Sequence, residues 1–220
     1  MTEPQPDSAE FEWIFADAQD LQHLTYAARR LLAKAATLFD RNGVGQTSVR
    51  DITRACGLSP GALYNHFGSK DDVLHVLVCH GHDNLDRRLQ QAAAAAGSTC
   101  RAQLAAFVEA YVLAHLEHPR LAQLVRREYT YLSDDRREEV IRKRRQLRQR
   151  LARMIADGER DGEFTLIGGT DRATRSAVMI LDMCSRTSEW YHPDRGGTTV
   201  GQLADRYVQA SLRLVGARSD

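Results

Sequence analysis

The sequence has little of several features that mark other classes of protein. Its 220 residues include only four cysteines and no CxxC pair, so neither a disulfide framework nor a cysteine-rich zinc site is indicated. It contains no run of about 18 apolar residues, and its acidic beginning lacks the apolar core of a signal peptide. We therefore expect a cytoplasmic chain with reduced thiols and no membrane partner.

The motifs of common enzyme classes are also absent. There is no G-x-S-x-G, no glycine-rich phosphate loop and no H-E-x-x-H. The formal net charge of +1 neither favours nor excludes a nucleic-acid partner. We predict that the protein is not an enzyme and has no catalytic residue, no metal and no cofactor. Its length suffices for one or two domains with a large core.

The charges are distributed unevenly. Residues 1–20 carry six acids and no base, which predicts a mostly flexible acidic arm with a short helix near 11–20. Residues 24–70 carry seven bases against Asp40 and Asp51. Such a basic segment is typical of a DNA-binding region, although an ordinary solvated helix face would give the same count.

The stretch from Thr47 to Lys70 has the pattern of two short helices joined at a glycine, followed by the start of a third. Thr47 or Ser48 can cap the first helix, and Gly57 can end it in a left-handed conformation. Ser59-Pro60 then offers a cap and a proline at the first helical position. The apolar positions are Val49, Ile52 and Cys56 in the first helix and Leu63 and Phe67 in the second. This pattern predicts a helix-turn-helix whose second helix enters the major groove of DNA.

The same stretch resembles the signature of the TetR family of transcriptional regulators. The matching residues are Thr47, Arg50, Asp51, Ile52, Gly57, Ser59, Gly61, Leu63, Tyr64, His66, Phe67, Ser69 and Lys70. Thr53 stands where the family usually has alanine. The resemblance implies a homodimeric repressor that binds a double-stranded DNA operator and is released by a small-molecule effector.

The resemblance also implies which residues contact DNA. Base edges would face Arg50, Gly61, Ala62 and Asn65, and phosphates would be reached by Thr47, Ser59, Tyr64, His66 and Lys70. For Tyr64 and His66 the alternative is that they complete the core of the head. Since Gly61 and Ala62 have little side chain to read bases, part of the specificity would come from DNA shape.

The rest of the chain reads as helices without strand pattern, so we predict an all-α fold of about nine helices. The remaining helices are expected near 24–41, 69–95, 99–117, 120–132, 133–157, 171–191 and 199–214, with Gly158 in a loop and Thr170 as a cap. We expect a helix-turn-helix head at residues 21–70 and a ligand-binding and dimerisation domain at 71–220. The last two helices would form the dimer interface.

Aromatic residues with polar tips are candidates for an effector pocket, although aromatics at helical spacing are more often core residues. The candidates are Tyr111, His115, Tyr129, Arg186 and Trp190. The Trp190-Tyr191-His192-Pro193 segment resembles the W-Y-x-P ending in TetR-type regulators of fatty-acid and sterol breakdown, which implies an acyl-CoA ester. The alternative within this class is a drug-responsive repressor of an efflux gene.

Two further patterns leave alternatives open. His75, Cys79 and His82 share one helix face and would suit a metal-binding sensor or a thiol enzyme, or they are ordinary pocket or interface residues. Residues 136–153 hold nine bases and two acids. That run fits a solvated face, a site for coenzyme A phosphates, or a partner for the acidic arm.

Overall fold

The computed structural model describes residues 11–12, 14–15, 18–192 and 197–217, and the predicted all-α class is confirmed. Every regular element in these residues is helical. No helix in this part of the chain is long and apolar enough to cross a membrane. Residues 1–10 of the predicted arm, and Pro193 of the W-Y-x-P segment, lie outside the described residues.

Nine α-helices and three short 3₁₀ helices occur in the described residues. The α-helices are α1 (Tyr26–Asn42), α2 (Val49–Ala55), α3 (Lys70–Ala95), α4 (Cys100–Glu117), α5 (Pro119–Glu128), α6 (Asp134–Arg160), α7 (Arg172–Ser185), α8 (Thr187–Trp190) and α9 (Val200–Leu214). The 3₁₀ helices are Gln19–Leu21, Pro60–Asn65 and Tyr129–Tyr131.

Two compact units divide the chain differently from the predicted boundary at residue 70. The first comprises Met1–His82 with Arg120–Val140, and the second comprises Asp83–Pro119 with Ile141–Asp220. The reason is apolar packing. Leu121, Leu124 and Val125 of α5 belong to the same buried core as the helices of the head, so this part of the chain joins the first unit.

Part of the predicted acidic arm packs in the first unit. Residues 11–12 and 14–15 are helical, as expected for a short helix near 11–20, and the burial of apolar side chains among them corrects the expected flexibility there. Phe11 and Phe15 are fully buried in the core of the first unit. Two polar contacts hold the segment: the Glu12 carboxylate forms an ion pair with Lys34 at 2.5 Å, and the Asp20 carboxylate lies at hydrogen-bond distance, 2.6 Å, from His80 Nδ1. Burial of the two aromatic rings outweighs the acidic composition that suggested flexibility.

The second unit is built around α4. Helices α7, α8 and α9 all contact α4, and α9 packs along it most extensively. Leu104, Phe107 and Val112 of α4 are buried together with Leu151 and Ile155 of α6. The apolar side chains of these helices therefore form the core of the second unit.

Three boundaries in the second unit differ from the sequence predictions. Gly158 lies inside α6 and not in a loop. Glycine is needed there for packing, because a Cβ would come within 2.3 Å of the Phe164 ring. The N-cap of α7 is Asp171, in a left-handed conformation with φ 62°, rather than Thr170. The single helix expected at 171–191 is interrupted at Arg186 and resumes as α8.

Candidate functional site

Helix α2 begins at a complete capping box. The Ser48 hydroxyl accepts the Asp51 N–H, and the Asp51 carboxylate accepts the Ser48 N–H at 2.9 Å. The Ser48 hydroxyl also donates to the Asp51 carboxylate at 2.6 Å. This bond, followed by the one from the Ser48 N–H, holds the pKa of the Asp51 carboxyl below its ordinary value. Thr53, at the position where alanine is usual, is buried, and its hydroxyl donates to the Val49 carbonyl at 3.1 Å. Ser48 rather than Thr47 is therefore the cap.

The second element of the motif is a 3₁₀ helix, Pro60–Asn65, and not the expected α-helix. Ser59 makes no side-chain capping bond, and the His66 N–H donates to the Leu63 carbonyl three residues back at 2.9 Å. Gly57 precedes the element with φ 69°, as predicted for the turn. Leu63 is fully buried and anchors the element to the core.

Most predicted DNA contacts face outward. Exposed positions include Arg50, Ser59, Gly61, Tyr64 and Asn65, and we call these five residues the outer surface. Tyr64 is 60% exposed, which argues against a role in the core. Ala62 and His66 are half-buried at its edge. The structure thus brings together the residues that can meet base edges and phosphates.

Thr47 and Lys70 do not join the outer surface, which corrects two predicted phosphate contacts. Thr47 is 1% exposed, and its hydroxyl donates to the Gly43 carbonyl at 2.9 Å. The Lys70 ammonium donates to the carbonyls of Val44 and Thr47 at 2.7 and 2.8 Å. Both side chains pair with backbone groups of residues 43–47, here called the supporting loop, because buried carbonyls require donors.

Glu128 is a further support that the sequence reasoning missed. Its buried carboxylate, at the end of α5, accepts the N–H of Val44 at 3.3 Å. The peptide groups on either side of Val44 are therefore held by Glu128 and by Lys70. One feature of the sequence could have indicated this role: Glu128 is an acidic residue at the end of α5, directly after Arg126 and Arg127.

Of the predicted effector residues, Tyr111 and His115 form a buried pair in the second unit. Their rings stack with centroids 4.5 Å apart, and His115 Nδ1 lies 2.9 Å from the Tyr111 carbonyl. Because that carbonyl can only accept, Nδ1 carries the proton. Burial raises the pKa of the Tyr111 hydroxyl, and the nearby Cys184 acts in the same direction while Arg144 opposes it. Arg144 was hidden among the nine bases of residues 136–153.

The other three predicted effector residues are not part of this cluster. Trp190 is 52% exposed, and the Arg186 side chain is 66% exposed. Tyr129 packs against the core of the first unit. A groove of about 420 Å³ between α6 and α7 contains none of the five. Its lining residues are Gln149, Ala152, Arg153, Ala156, Ala173 and Thr174.

Three of the nine bases in the basic run of α6 pair with acids of α3. In the first unit, Arg136 binds Asp71 and Asp72 at 3.0 and 2.8 Å. In the second unit, Lys143 binds Asp83 at 2.6 Å, and Arg150 pairs with Asp86. The remaining bases include exposed arginines at 142, 145, 148 and 153. These ion pairs with α3 are a role that the sequence did not indicate for residues 136–153.

A capped helix-turn-helix with an outward polar surface, on an all-helical scaffold, defines a DNA-binding regulator of transcription. Two family models match the chain. One is described as bacterial regulatory proteins of the tetR family and matches residues 31–77, and the other is a tetracyclin repressor-like C-terminal domain that matches residues 97–215. The chain belongs to the TetR family of DNA-binding transcriptional regulators. The predicted family and the absence of an enzymatic role are confirmed, because family and relatives are regulators of transcription.

Three known proteins illustrate the likeness. The transcriptional repressor KstR2 of Rhodococcus jostii strain RHA1 is 31% identical over 191 residues, which cover 83% of this chain and 87% of KstR2. A tetR-family regulatory protein from Rhodococcus RHA1 has a TM-score of 0.78 at 28% identity, with 89% of this chain and 100% of that chain covered. AibR, solved with isovaleryl coenzyme A and operator DNA, has a TM-score of 0.75 at 20% identity, with 87% and 100% covered.

Proposed function

We propose that this protein is a homodimeric repressor that binds a palindromic operator and leaves it when an acyl-CoA ester binds the second unit. The observation that carries the DNA part is the outer surface, where Arg50, Tyr64 and Asn65 are exposed on elements whose apolar sides are buried. Arg50 would pair with guanine, and Ser59, Tyr64 and His66 would reach phosphates. Two heads about 34 Å apart would read successive major-groove segments.

The cluster around Tyr111 is the proposed place for the effector's polar group. It combines the Tyr111 hydroxyl and the His115 imidazole beside an apolar core, and the half-buried Arg144 is near enough for its charge to act on Tyr111. A thioester carbonyl needs a hydrogen-bond donor, and an acyl chain needs apolar walls. The exposed arginines of α6 are suited to the phosphates of coenzyme A. The AibR complex supports the proposal at the level of the fold, which accepts an acyl-CoA and an operator in that protein.

The proposed dimer interface is the outer face of α7 and α9. Met179 is 58% exposed there, and Met183, Tyr207 and Leu214 are half-buried. Ile180 and Leu203, apolar residues of the same two helices, are 1% and 4% exposed because they pack inside their own unit. They therefore do not supply contacts to a partner. Large exposed apolar side chains on neighbouring helices are typical of a surface that is covered in the assembly.

The effector is tested by release from DNA. A fluorescent operator bound to the protein is titrated with isovaleryl-CoA, longer acyl-CoA esters and steroid-derived CoA esters, with free coenzyme A and free acids as controls. We expect at least one ester to lower operator affinity, and the operator to weaken binding of that ester by the same factor, since coupling is reciprocal. Tyr111→Phe should reduce release without changing operator affinity. Release by cationic or aromatic drugs alone would instead support the efflux-gene alternative.

The dimer is tested separately by sedimentation. Met179→Glu should shift the protein from dimer to monomer at micromolar concentration, because a charge would be buried in the proposed interface. Ile167→Glu is the matched control, since Ile167 is 89% exposed in the loop between α6 and α7. A monomeric wild type, or equal behaviour of the two variants, contradicts the proposed interface.

A further inference from the structure

Two residues of the His75/Cys79/His82 stripe meet a third partner that the sequence did not indicate. His75 and Cys79 lie one turn apart on α3, so their side chains share a face. Glu139, near the start of α6, reaches the same point. Its Oε2 lies 3.0 Å from His75 Nε2 and its Oε1 lies 3.9 Å from Cys79 Sγ, while Sγ and Nε2 are 3.3 Å apart. Each of the three residues offers one donor atom, and these atoms lie within 4.8 Å of one another. His82 is not part of this group.

These separations fit a common metal centre. In a tetrahedral zinc site, bonds of about 2.0–2.3 Å place neighbouring ligand atoms about 3.3–3.6 Å apart. The separations from His75 Nε2, 3.0 Å to Glu139 Oε2 and 3.3 Å to Cys79 Sγ, lie at or just below that range, and Sγ lies 3.9 Å from the other carboxylate oxygen, Oε1. Side-chain shifts of a few tenths of an ångström, on the order of ordinary rotamer adjustment, would therefore bring all three donors to bonding distance.

We propose that His75, Cys79 and Glu139 bind a zinc ion that ties α3 to the first turns of α6 in the first unit. Mixed nitrogen, sulfur and oxygen donors select a borderline divalent ion, because calcium and magnesium prefer oxygen alone and copper(I) prefers sulfur and nitrogen without a carboxylate. Binding releases the thiol proton of Cys79 to the buffer. Thiolate and carboxylate then balance the dication, and a water molecule takes the fourth position.

The surroundings of the three ligands are compatible with a cation. Arg136, three residues before Glu139 on α6, pairs with Asp71 and Asp72 at 3.0 and 2.8 Å, so its charge is compensated. The other cysteines, at positions 56, 100 and 184, are buried. Cys79 is only half-buried and lies beside a His and a Glu donor, so it is the thiol best placed to bind a metal.

Cobalt(II) absorption tests the site, because a tetrahedral thiolate centre gives a charge-transfer band that a site without sulfur lacks. The full-length protein is titrated with cobalt(II) and then with zinc. We expect one cobalt per chain with the thiolate band, and its displacement by one equivalent of zinc. Cys79→Ser should abolish the band, and Glu139→Gln should weaken binding by at least about tenfold. His82→Ala and Cys100→Ser are matched controls that should keep both band and affinity.

Several results would overturn the proposal. They are a wild type without a thiolate band, a band that persists in Cys79→Ser, or unchanged cobalt affinity in Glu139→Gln. Helix content by circular dichroism verifies that each variant is folded. If Cys79→Ser does not fold, Glu139→Gln and His75→Gln decide the question alone, because each removes one donor while keeping the side-chain volume. The result is independent of any effector, since no acyl-CoA is present.

Discussion

The outer surface lies within the motif, the supporting loop ends where the motif begins, and the two use polar residues in opposite ways. On the outer surface, Arg50 and Tyr64 are exposed, with their polar tips accessible to a partner. At the supporting loop, Thr47 is buried, and Lys70 and Glu128 bind the loop's backbone. One signature therefore combines residues that can contact DNA with residues that hold the contacting elements in place.

The difference teaches that a motif position specifies a residue type and not the direction in which its side chain points. A buried carbonyl or N–H that has lost water costs free energy unless a side chain or another peptide group pairs with it. The loop between α1 and α2 leaves such groups at Val44 and Thr47, and Lys70 is the donor that reaches both carbonyls. A lysine in a DNA-binding motif can thus act entirely within the protein.

The largest expected effect that separates the two regions is that of Lys70→Met. The substitution keeps the apolar part of the side chain but removes the donor to two carbonyls. We expect the free energy of unfolding to fall by about 2 kcal/mol. The Thr47 carbonyl loses its Lys70 donor, whereas the Val44 carbonyl still accepts the Thr47 N–H at 3.3 Å, and Lys70 is only half-buried. Urea denaturation followed by circular dichroism measures the change.

The control for this prediction is Lys34→Met. Lys34 pairs with Glu12, whose side chain is half exposed, so its loss should cost less than about 1 kcal/mol. On folded protein, the salt dependence of operator binding should be the same for Lys70→Met and wild type, since no phosphate contact is lost. A weaker salt dependence of operator binding with unchanged stability would mean that Lys70 contacts a DNA phosphate after all.

Arg50→Ala is expected to have the opposite profile. If Arg50 pairs with a guanine, its loss should lower operator affinity by about 10- to 100-fold, or about 1–3 kcal/mol. Stability should change by less than about 0.5 kcal/mol, since the side chain is exposed. Fluorescence anisotropy with a labelled operator measures the affinity.

Arg148→Ala provides the comparison for Arg50→Ala, because Arg148 is an equally exposed arginine on α6, outside the helix-turn-helix. It should bind the operator like the wild type. Equal losses for the two variants would mean that the effect comes from overall charge and not from a specific contact at Arg50.

The coupling of Lys70 and Glu128 is expected to be smaller but specific. Both side chains bind backbone groups of Val44, at 2.7 and 3.3 Å, so each holds the loop in the position that the other needs. A double-mutant cycle with Lys70→Met and Glu128→Gln should give a coupling of about 1 kcal/mol. Strict additivity within about 0.3 kcal/mol would mean that the two supports act separately.

Much of the fold followed from local signals, and the exceptions share a physical cause. Ser48 caps its helix as one of the two residues that the sequence suggested, because a capping bond involves residues only three apart. The prediction that Gly158 lies in a loop was wrong. The Phe164 ring, which leaves room only for glycine at this position, packs there across a turn that composition does not reveal. The 3₁₀ form of Pro60–Asn65 likewise depends on how Leu63 is buried.

The functional residues also divide into those set by local sequence and those that depend on distant partners. The outer surface could be predicted because exposed polar positions on a fixed motif need no distant partner. Glu128 and Arg144 could not, since the first acts on Val44, 84 positions earlier, and the second lies near Tyr111 on another helix. Glu139 was missed for the same reason, as it meets His75 across 64 positions. A single sequence contains no record of such pairs.

Ser48→Ala should give the smallest effect. It tests how much the capping box at the start of α2 stabilises the motif, independently of the outer surface and the supporting loop. Loss of the N-cap should lower the free energy of unfolding by about 1 kcal/mol. The Asp51 carboxyl has its pKa lowered by Ser48, so this contribution is present above the ordinary value of 3.8 and is lost as the pH falls through the lowered value. The difference between variant and wild type in urea denaturation should therefore shrink on acidification below about pH 4. A difference that stays constant would leave the hydroxyl's bond to the Asp51 N–H as the whole effect and would exclude the carboxylate from it.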